Sequence, residues 1–500
     1  MADTGRTLAT TTGLCPSCLE AVPGEYEEKE GSVYLTRECP DHGVASRQVW
    51  ASVDHWEWAG DFGPESTFEG DLTVDDDHAC LAVIEVTQDC NLSCSYCFAG
   101  SGPGGNQLPR ETVIDRLETV RSEGGTRPIQ FSGGEPTVHE ELPEFVEAAR
   151  EMGFEHVQVN TNGLRLASEE GYAERIAEAG VTAIYLQFDG LEPETYEAIR
   201  EVDIAAEKHE AIAACRDADL PVILVPTVVP GVNEGEMGDI VEFALENTAV
   251  VRSVNFQPVA HFGRYAENEG RFSLEEAAGS LADQIDSVEK RDLMPVPCCS
   301  SYCQTATAFV PDADGGAVPL TRFLQLDSFD AIAGMIDESD WMEMLAGTPA
   351  GAERAGEVTG CCGPPIPGGS SCGPDAEAES ARGEPSGGDE ALSGEDDDLP
   401  GEILPVSFTG FMDADAGDLD RLDNCCISVP TESGDLVPFC AYNMTTDDGR
   451  YAVRNREGWG GRPAVGEPMP EGEPASRAPE DEAAPRTSEG EYGSPGEADD

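Results

Sequence analysis

Three cysteines, Cys90, Cys94 and Cys97, stand within eight residues in "CNLSCSYCF", at the spacing C-x3-C-x2-C. Thiolates so spaced can hold zinc, form a disulfide with one sulfur left over, or bind three irons of a four-iron cluster. Zinc would want a fourth ligand close by, yet the next cysteine downstream is Cys215. Cys80 lies at the far end of the strand that feeds this loop. Three ligands from one short loop therefore favour a [4Fe–4S] cluster with one iron open to a chelating molecule. A second set, Cys15 and Cys18 in "CPSC" with Cys39 and His42 in "CPDHG", makes two knuckles suited to zinc or a mononuclear iron. Further on come Cys298, Cys299 and Cys303 in "PCCSSYC", Cys361 and Cys362, Cys372, Cys425 and Cys426 in "NCC", and Cys440 in "PFCAYN". These suffice for one auxiliary [4Fe–4S] cluster and nominally for two. Cys215, on a helical stretch, reads as a small buried hydrophobe.

The elements that must position the triad alternate in type. Strand-like runs occur at Leu81–Thr87, Pro128–Gly133, His156–Asn162, Thr182–Phe188, Pro221–Thr227 and Val251–Pro258. Helical stripes lie between them, with Val113, Leu117 and Val120 in one and Phe145, Ala148 and Met152 in another. Six such units predict an α/β fold, a partial (β/α)6 TIM-like barrel with chemistry at the C-terminal strand ends. Small cysteine-rich metal-binding segments precede and follow it. We place the N-terminal Cys3His segment at 13–60, the barrel at 78–297, and an auxiliary iron–sulfur region at 298–345 and 401–450. The acidic, Gly/Ser/Pro-rich stretch 364–400 and the tail 458–500 bury too little apolar surface to fold alone and are expected to be disordered.

Each strand end carries a polar signature: "GGEP" (Gly133–Pro136), "NTNG" (Asn160–Gly163), "QFDG" (Gln187–Gly190) and "VPTVVPGVNE" (Val225–Glu234). With the triad at the end of the first strand, this arrangement resembles the radical SAM superfamily. The resemblance implies S-adenosyl-L-methionine bound at the open iron, its amino group gripped at Gly133, Gly134 and Glu135. It further implies contacts from Asn160, Asn162, Gln187 and Asp189 to the carboxylate, ribose and adenine, with Phe98 beside the adenine. One-electron cleavage would release a 5′-deoxyadenosyl radical that abstracts hydrogen from an unactivated C–H bond, fed by a donor such as ferredoxin or flavodoxin.

Within the superfamily, "CPSC…CPDHG", "CLAVIEVTQDCNLSCSYCFA", "FSGGEPT", "FQPVA…GR", "PCCSSYC" and "FCAYN" are most similar to the archaeal tetraether lipid synthases. That likeness implies C–C bond formation or another modification on an isoprenoid lipid chain. The chain departs from that group at Gly63–Ala79, which lacks a cysteine-rich run. A pterin or peptide substrate, with methyltransferase or maturase chemistry, is the alternative, and a non-catalytic iron–sulfur protein a remote one. Arg264, just past the sixth strand, could face a polar head group or be solvated.

Charge narrows the partners. The net charge is -70, with lysine only at Lys29, Lys208 and Lys290, a balance suited to a salt-rich, halophilic archaeal cytosol. Such a surface excludes nucleic acid and electrostatic docking on anionic lipid. No apolar leader follows Met1, and the longest apolar run, Val222–Val232, is broken by Pro226 and Pro230. The expectation is a cytoplasmic protein without a transmembrane segment, peripheral contact with the membrane being left open.

Overall fold

Seven residues of unbroken burial at Leu81–Thr87 mark the strand on which the site is built. It belongs to a sheet seen in a computed structural model that describes residues 5–62, 81–266, 271–296, 300–311, 316–324 and 403–454. The expected insertion 364–400 and tail 458–500 lie outside the described residues, as do Cys80, Cys298, Cys299, Cys361, Cys362 and Cys372.

The N-terminal part is an antiparallel meander of β1 (Arg6–Leu14), β2 (Ala21–Lys29), β3 (Ser32–Cys39) and β4 (Gly43–Trp50). It begins at Arg6 rather than near residue 13. Helix α1 (Val53–Gly60), capped by the Ser52 side chain, leads away from it. The six anticipated strands follow as β5 (Leu81–Thr87), β6 (Ile129–Gly133), β7 (Val157–Thr161), β8 (Ala183–Gln187), β9 (Val222–Val225) with the short β10 (Thr227–Val228), and β11 (Val251–Pro258). β5, β6, β7, β8, β9 and β11 pair in parallel and in that spatial order, so this is a mixed α/β fold with a parallel sheet. The intervening helices are α2 (Arg110–Gly124), α3 (Leu142–Glu151), α4 (Leu164–Ser168), α5 (Tyr172–Ala179), α6 (Pro193–Arg200), α7 (Ala205–Asp217) and α8 (Met237–Glu246). Helix α9 (Leu274–Gln284) carries a full capping box at Ser273 and Glu276.

Val113, Leu117 and Val120 of α2 are fully buried, as their spacing demands. The stripe on α3 runs instead through Leu142, Phe145, Val146 and Ala149, one position off the anticipated Ala148 and Met152. The largest difference is downstream. The region expected as a separate auxiliary segment adds strands to the barrel's own sheet. β12 (Met294–Pro295), β13 (Gln304–Pro311), β14 (Ala317–Pro319) and β15 (Leu404–Thr409) continue it beyond β11, with β15 parallel to β11. β16 (Ile427–Pro430) and β17 (Leu436–Pro438) continue it beyond β5, with β16 parallel to β5. Among the described residues, no helix is long and apolar enough to cross a membrane.

Candidate functional site

The loop after β5 carries Cys90, Cys94 and Cys97, and all three line one cavity of about 200 Å³ at the C-terminal end of the sheet. Backbone geometry fixes the loop. The N–H of Gly134 donates to Thr87 O at 2.7 Å and that of Glu135 to Asp89 O at 2.9 Å. A Cβ on Gly133 would collide with Thr87 O, and one on Gly134 with Asp89 O. The glycines of "GGEP" are thus required first by the close approach of β6 to the cysteine loop. Arg264, half-buried, lines the same cavity and braces the loop. Its Nε donates to Cys94 O at 2.5 Å and its Nη2 to Ser101 O at 2.9 Å, while backbone bonds join it to Cys97. From the C-terminal side, Tyr451 Oη donates to Phe98 O at 2.8 Å.

Of the eight residues expected around the cofactor, seven line the cavity: Phe98, Gly133, Gly134, Glu135, Asn160, Asn162 and Gln187. Glu135, 1 % exposed, accepts from Thr137 N (3.1 Å), Thr137 Oγ1 (2.6 Å), Thr161 Oγ1 (2.6 Å) and Asn162 N (2.7 Å). Asn162 Nδ2 donates to Asn91 Oδ1 at 2.7 Å, tying the third strand end to the cysteine loop. Asn160 Nδ2 donates to Ser132 Oγ at 3.3 Å. Asp189 is different: wholly buried behind the wall, it accepts two 2.7 Å bonds from Arg200 Nε and Nη2, and one at 3.1 Å from Thr227 N. Gln187 also hydrogen-bonds to it.

Sequence reasoning missed two features and found only Gln187 of a third. Arg200, at the end of α6, lines the cavity, and its Nη1 donates to Tyr96 O at 3.1 Å. Burial works against its charge, but Asp189 outweighs burial and holds the guanidinium protonated. Lys208 on α7 is fully buried behind the same wall. The third feature was legible: "PIQFSG", "HVQVNTN", "YLQF" and "NFQP" each carry one glutamine in an otherwise apolar strand. Those residues, Gln130, Gln158, Gln187 and Gln257, all line the cavity. Gln130 Nε2 donates to Gln158 Oε1 at 3.2 Å, and Gln257 Nε2 to Tyr185 Oη at 2.9 Å.

The donor set fits an iron–sulfur cluster. Burial raises the Cys90 thiol well above its ordinary value, with Glu135 adding to it; burial raises Cys94 too, against the pull of Arg200. Desolvated thiols of this kind deprotonate when a metal takes them. Among the described residues, only Cys15, Cys18, Cys39 and His42 bring ligand atoms within 4.8 Å of one another. Cys90, Cys94 and Cys97 are not such a compact set, and three thiols on one loop could hold three irons of a four-iron cluster.

In the N-terminal meander, His42 Nδ1 lies 3.4 Å from Cys39 Sγ and 3.7 Å from Cys15 Sγ, and the sulfurs of Cys18 and Cys39 are 4.0 Å apart. This is a compact thiolate–imidazole set of the kind that holds one tetrahedral ion. Downstream, Cys303 Sγ accepts from Arg421 Nη2 at 3.2 Å, Cys440 Sγ accepts from Met412 N at 3.4 Å, and Cys425 Sγ lies 3.4 Å from Ile427 O. Cys426, 1 % exposed and directly before the cavity-lining Ile427, is disulfide-bonded rather than free. The described downstream cysteines do not gather around one ion.

Residues 84–244 match the radical SAM superfamily, and residues 7–51 match the HMPTM N-terminal zinc ribbon domain. Over 485 residues the chain is 32 % identical to the 7,8-dihydro-6-hydroxymethylpterin dimethyltransferase of Methanocaldococcus jannaschii, covering 87 % of this chain and 93 % of that one. The chain belongs to the radical SAM superfamily. A second radical SAM relative is a probable GTP 3′,8-cyclase of Methanothermobacter thermautotrophicus, 29 % identical over 212 residues, with 42 % of this chain and 68 % of that one covered. Among solved structures, Streptococcus suis SuiB bound to S-adenosylmethionine superposes with a TM-score of 0.35 at 15 % identity, over 41 % of this chain and 46 % of that one. Radical SAM membership implies a [4Fe–4S] cluster, S-adenosylmethionine and an external electron donor, and the ribbon cysteines provide an additional metal site.

Proposed function

We propose that this radical SAM enzyme acts on a small hydrogen-bonding heterocycle of the pterin type. The observation that carries the reading is the amide-lined floor of the cavity, with Gln130, Gln158, Gln187 and Gln257 contributed by four strands of the barrel sheet. A fused pyrimidine ring offers donors and acceptors along one edge and can answer such amides. An alkyl chain could not answer the donors and acceptors these amides keep beyond their bonds to protein partners, at about 1–3 kcal/mol for each group stranded. Similarity along nearly the whole chain to a protein named as a pterin dimethyltransferase supports the same substrate class.

A cluster on Cys90, Cys94 and Cys97 with S-adenosylmethionine supplies, when bound, a carbon radical able to abstract hydrogen. The chain's own residues do the rest. Arg200, desolvated and steadied by Asp189, offers a fixed positive charge for the cofactor carboxylate. The Gly133–Glu135 backbone and Asn162 hold the strand ends against the cysteine loop. Phe98, Phe411 and Phe439 form an apolar wall that keeps water from the reacting carbon. In this reading Phe98 packs on the adenine, Cys15, Cys18, Cys39 and His42 hold zinc, and an auxiliary cluster draws on Cys298, Cys299, Cys303, Cys425 and Cys440.

The same apolar wall, with Leu81, Val83 and Ile427, favours a second reading, coupling of isoprenoid chains. Anaerobically reconstituted protein with reductant and S-adenosylmethionine separates the two. We expect 7,8-dihydro-6-hydroxymethylpterin to stimulate 5′-deoxyadenosine release and an archaeal diether lipid to leave it unchanged. The reverse pattern would replace the pterin reading with the lipid one.

A further inference from the structure

Lys208 is a buried charge with no part in the site as described so far. It is one of three lysines in the chain and is 0 % exposed. It occupies the face of α7 that also buries Ala211, Ile212 and Cys215, where an apolar side chain would fill the space without desolvating an ammonium. Its Nζ donates to Asn162 O at 2.6 Å and lies 5.5 Å from the centre of the Tyr196 ring. Asn162 in turn donates from its backbone to Glu135 and from its side chain to Asn91, the neighbour of Cys90. Tyr196 and Ala205, one turn from Lys208, pack in one cluster with Cys94, against which Cys90 and Cys97 also lie.

The charged groups facing Lys208 are Asp189 at the end of β8, Arg200 on α6, Glu135 after β6 and Cys94 on the loop after β5. Asp189 and Arg200 satisfy each other. Arg200 also pulls on Cys94, so the ammonium is a second cation facing Glu135 and the cysteine loop, and the one not committed to Asp189. We propose that Lys208 is a positioning residue for the incoming electron, a fixed countercharge behind the cysteine loop that makes the cluster easier to reduce. The proposal rests on the radical SAM reading of the triad. The electron comes from a low-potential donor of ferredoxin or flavodoxin type, and no bond to Lys208 forms or breaks.

The test is an EPR-monitored redox titration of reconstituted wild-type protein and the variants K208M and K208R. Iron and sulfide content and S-adenosylmethionine affinity are measured on the same samples. At fixed ambient potential, the ratio of reduced to oxidised cluster in K208M should fall about tenfold, a ~59 mV drop for a one-electron couple, and K208R should restore it. Cofactor affinity should not fall in K208M, because S-adenosylmethionine is itself a net cation. A midpoint unchanged in K208M at full iron content overturns the proposal; a wild-type triad that binds no cluster defeats the underlying reading instead. Should K208M fail to load iron, K208Q, which keeps a donor for Asn162 O without the charge, is titrated in its place, and an unchanged midpoint there overturns the proposal.

Discussion

Replacing Asp189 by asparagine asks whether this residue serves the cofactor by touching it or by holding Arg200. The carboxylate is 0 % exposed and the arginine side chain 7 %, joined by two 2.7 Å bonds. Removing one partner of such a pair leaves an uncompensated buried charge, at a cost of about 3–5 kcal/mol. The substituted asparagine would keep the volume and could still accept from Thr227 N, so the loss is that of charge rather than of packing. The double variant D189N/R200M removes both charges, and replacing a buried pair by neutral groups is close to neutral in stability. We therefore expect urea denaturation of the anaerobic protein, followed by far-UV circular dichroism, to show a large loss in D189N and recovery of at least half of it in the double variant. S-adenosylmethionine binding, measured by equilibrium dialysis, should be weak in both because the guanidinium is misplaced or missing. If D189N keeps the wild-type denaturation midpoint and yet loses the cofactor, Asp189 acts directly and the positioning argument is refuted.

Other consequences are as specific. G134A should fail to assemble the cluster, since its Cβ would meet Asp89 O in the backbone of the cysteine loop; iron content per chain reads this directly. R264M frees the carbonyls of Cys94 and Ser101 and should lower iron retention under a chelator several-fold without unfolding the sheet, a result that circular dichroism and iron counts check together. R37M removes a 1 % exposed guanidinium that donates to Leu14 O, Ala414 O and Asp415 O, so the zinc ribbon should come loose from the 414–415 segment, with ~3 kcal/mol lost and proteolysis accelerated there. Burial, with Lys290 and Arg291 adding to it, lowers His55 to about 4. The unfolded chain, with His near 6.5, then binds more protons between those values. That share of stability is complete above the unfolded pKa and is lost as pH falls towards 4, by at most roughly 3 kcal/mol; H55Q should flatten this limb of the denaturation profile.

Local patterns carried most of the barrel. Leu81–Thr87 and Val251–Pro258 could be bounded to the residue because each is a compact run rich in β-branched and apolar residues. On α3 the 3.6-residue period alone could not choose between Ala148 and Ala149, since two adjacent alanines fit the stripe equally. The role of Arg264 left no trace in composition, because its partners are backbone carbonyls and any residue supplies those. Lys208 gave a signal in hindsight: a lysine at i with Ile212 at i+4 and Cys215 at i+7 sits where an apolar residue belongs. The four glutamines gave another, each polar among apolar strand neighbours.

The downstream strands were out of reach for a physical reason. Pairing of Val254 with Val406, or of Leu81 with Ile427, spans more than a hundred residues, and nothing near either partner specifies the other. Yet a six-stranded parallel sheet has two bare edges, and here both are covered, by β15 on β11 and by β16 on β5. These strands also deliver Thr409, Phe411, Ile427 and Phe439 to the cavity wall. Cys425, Cys426 and Cys440 lie beside these wall residues, and Gly410 N donates to Cys303 O. The segments that finish the sheet thus also close one side of the cavity and carry the free cysteines Cys303, Cys425 and Cys440. The wall they complete is therefore built on the edges of the barrel sheet rather than on a separate domain.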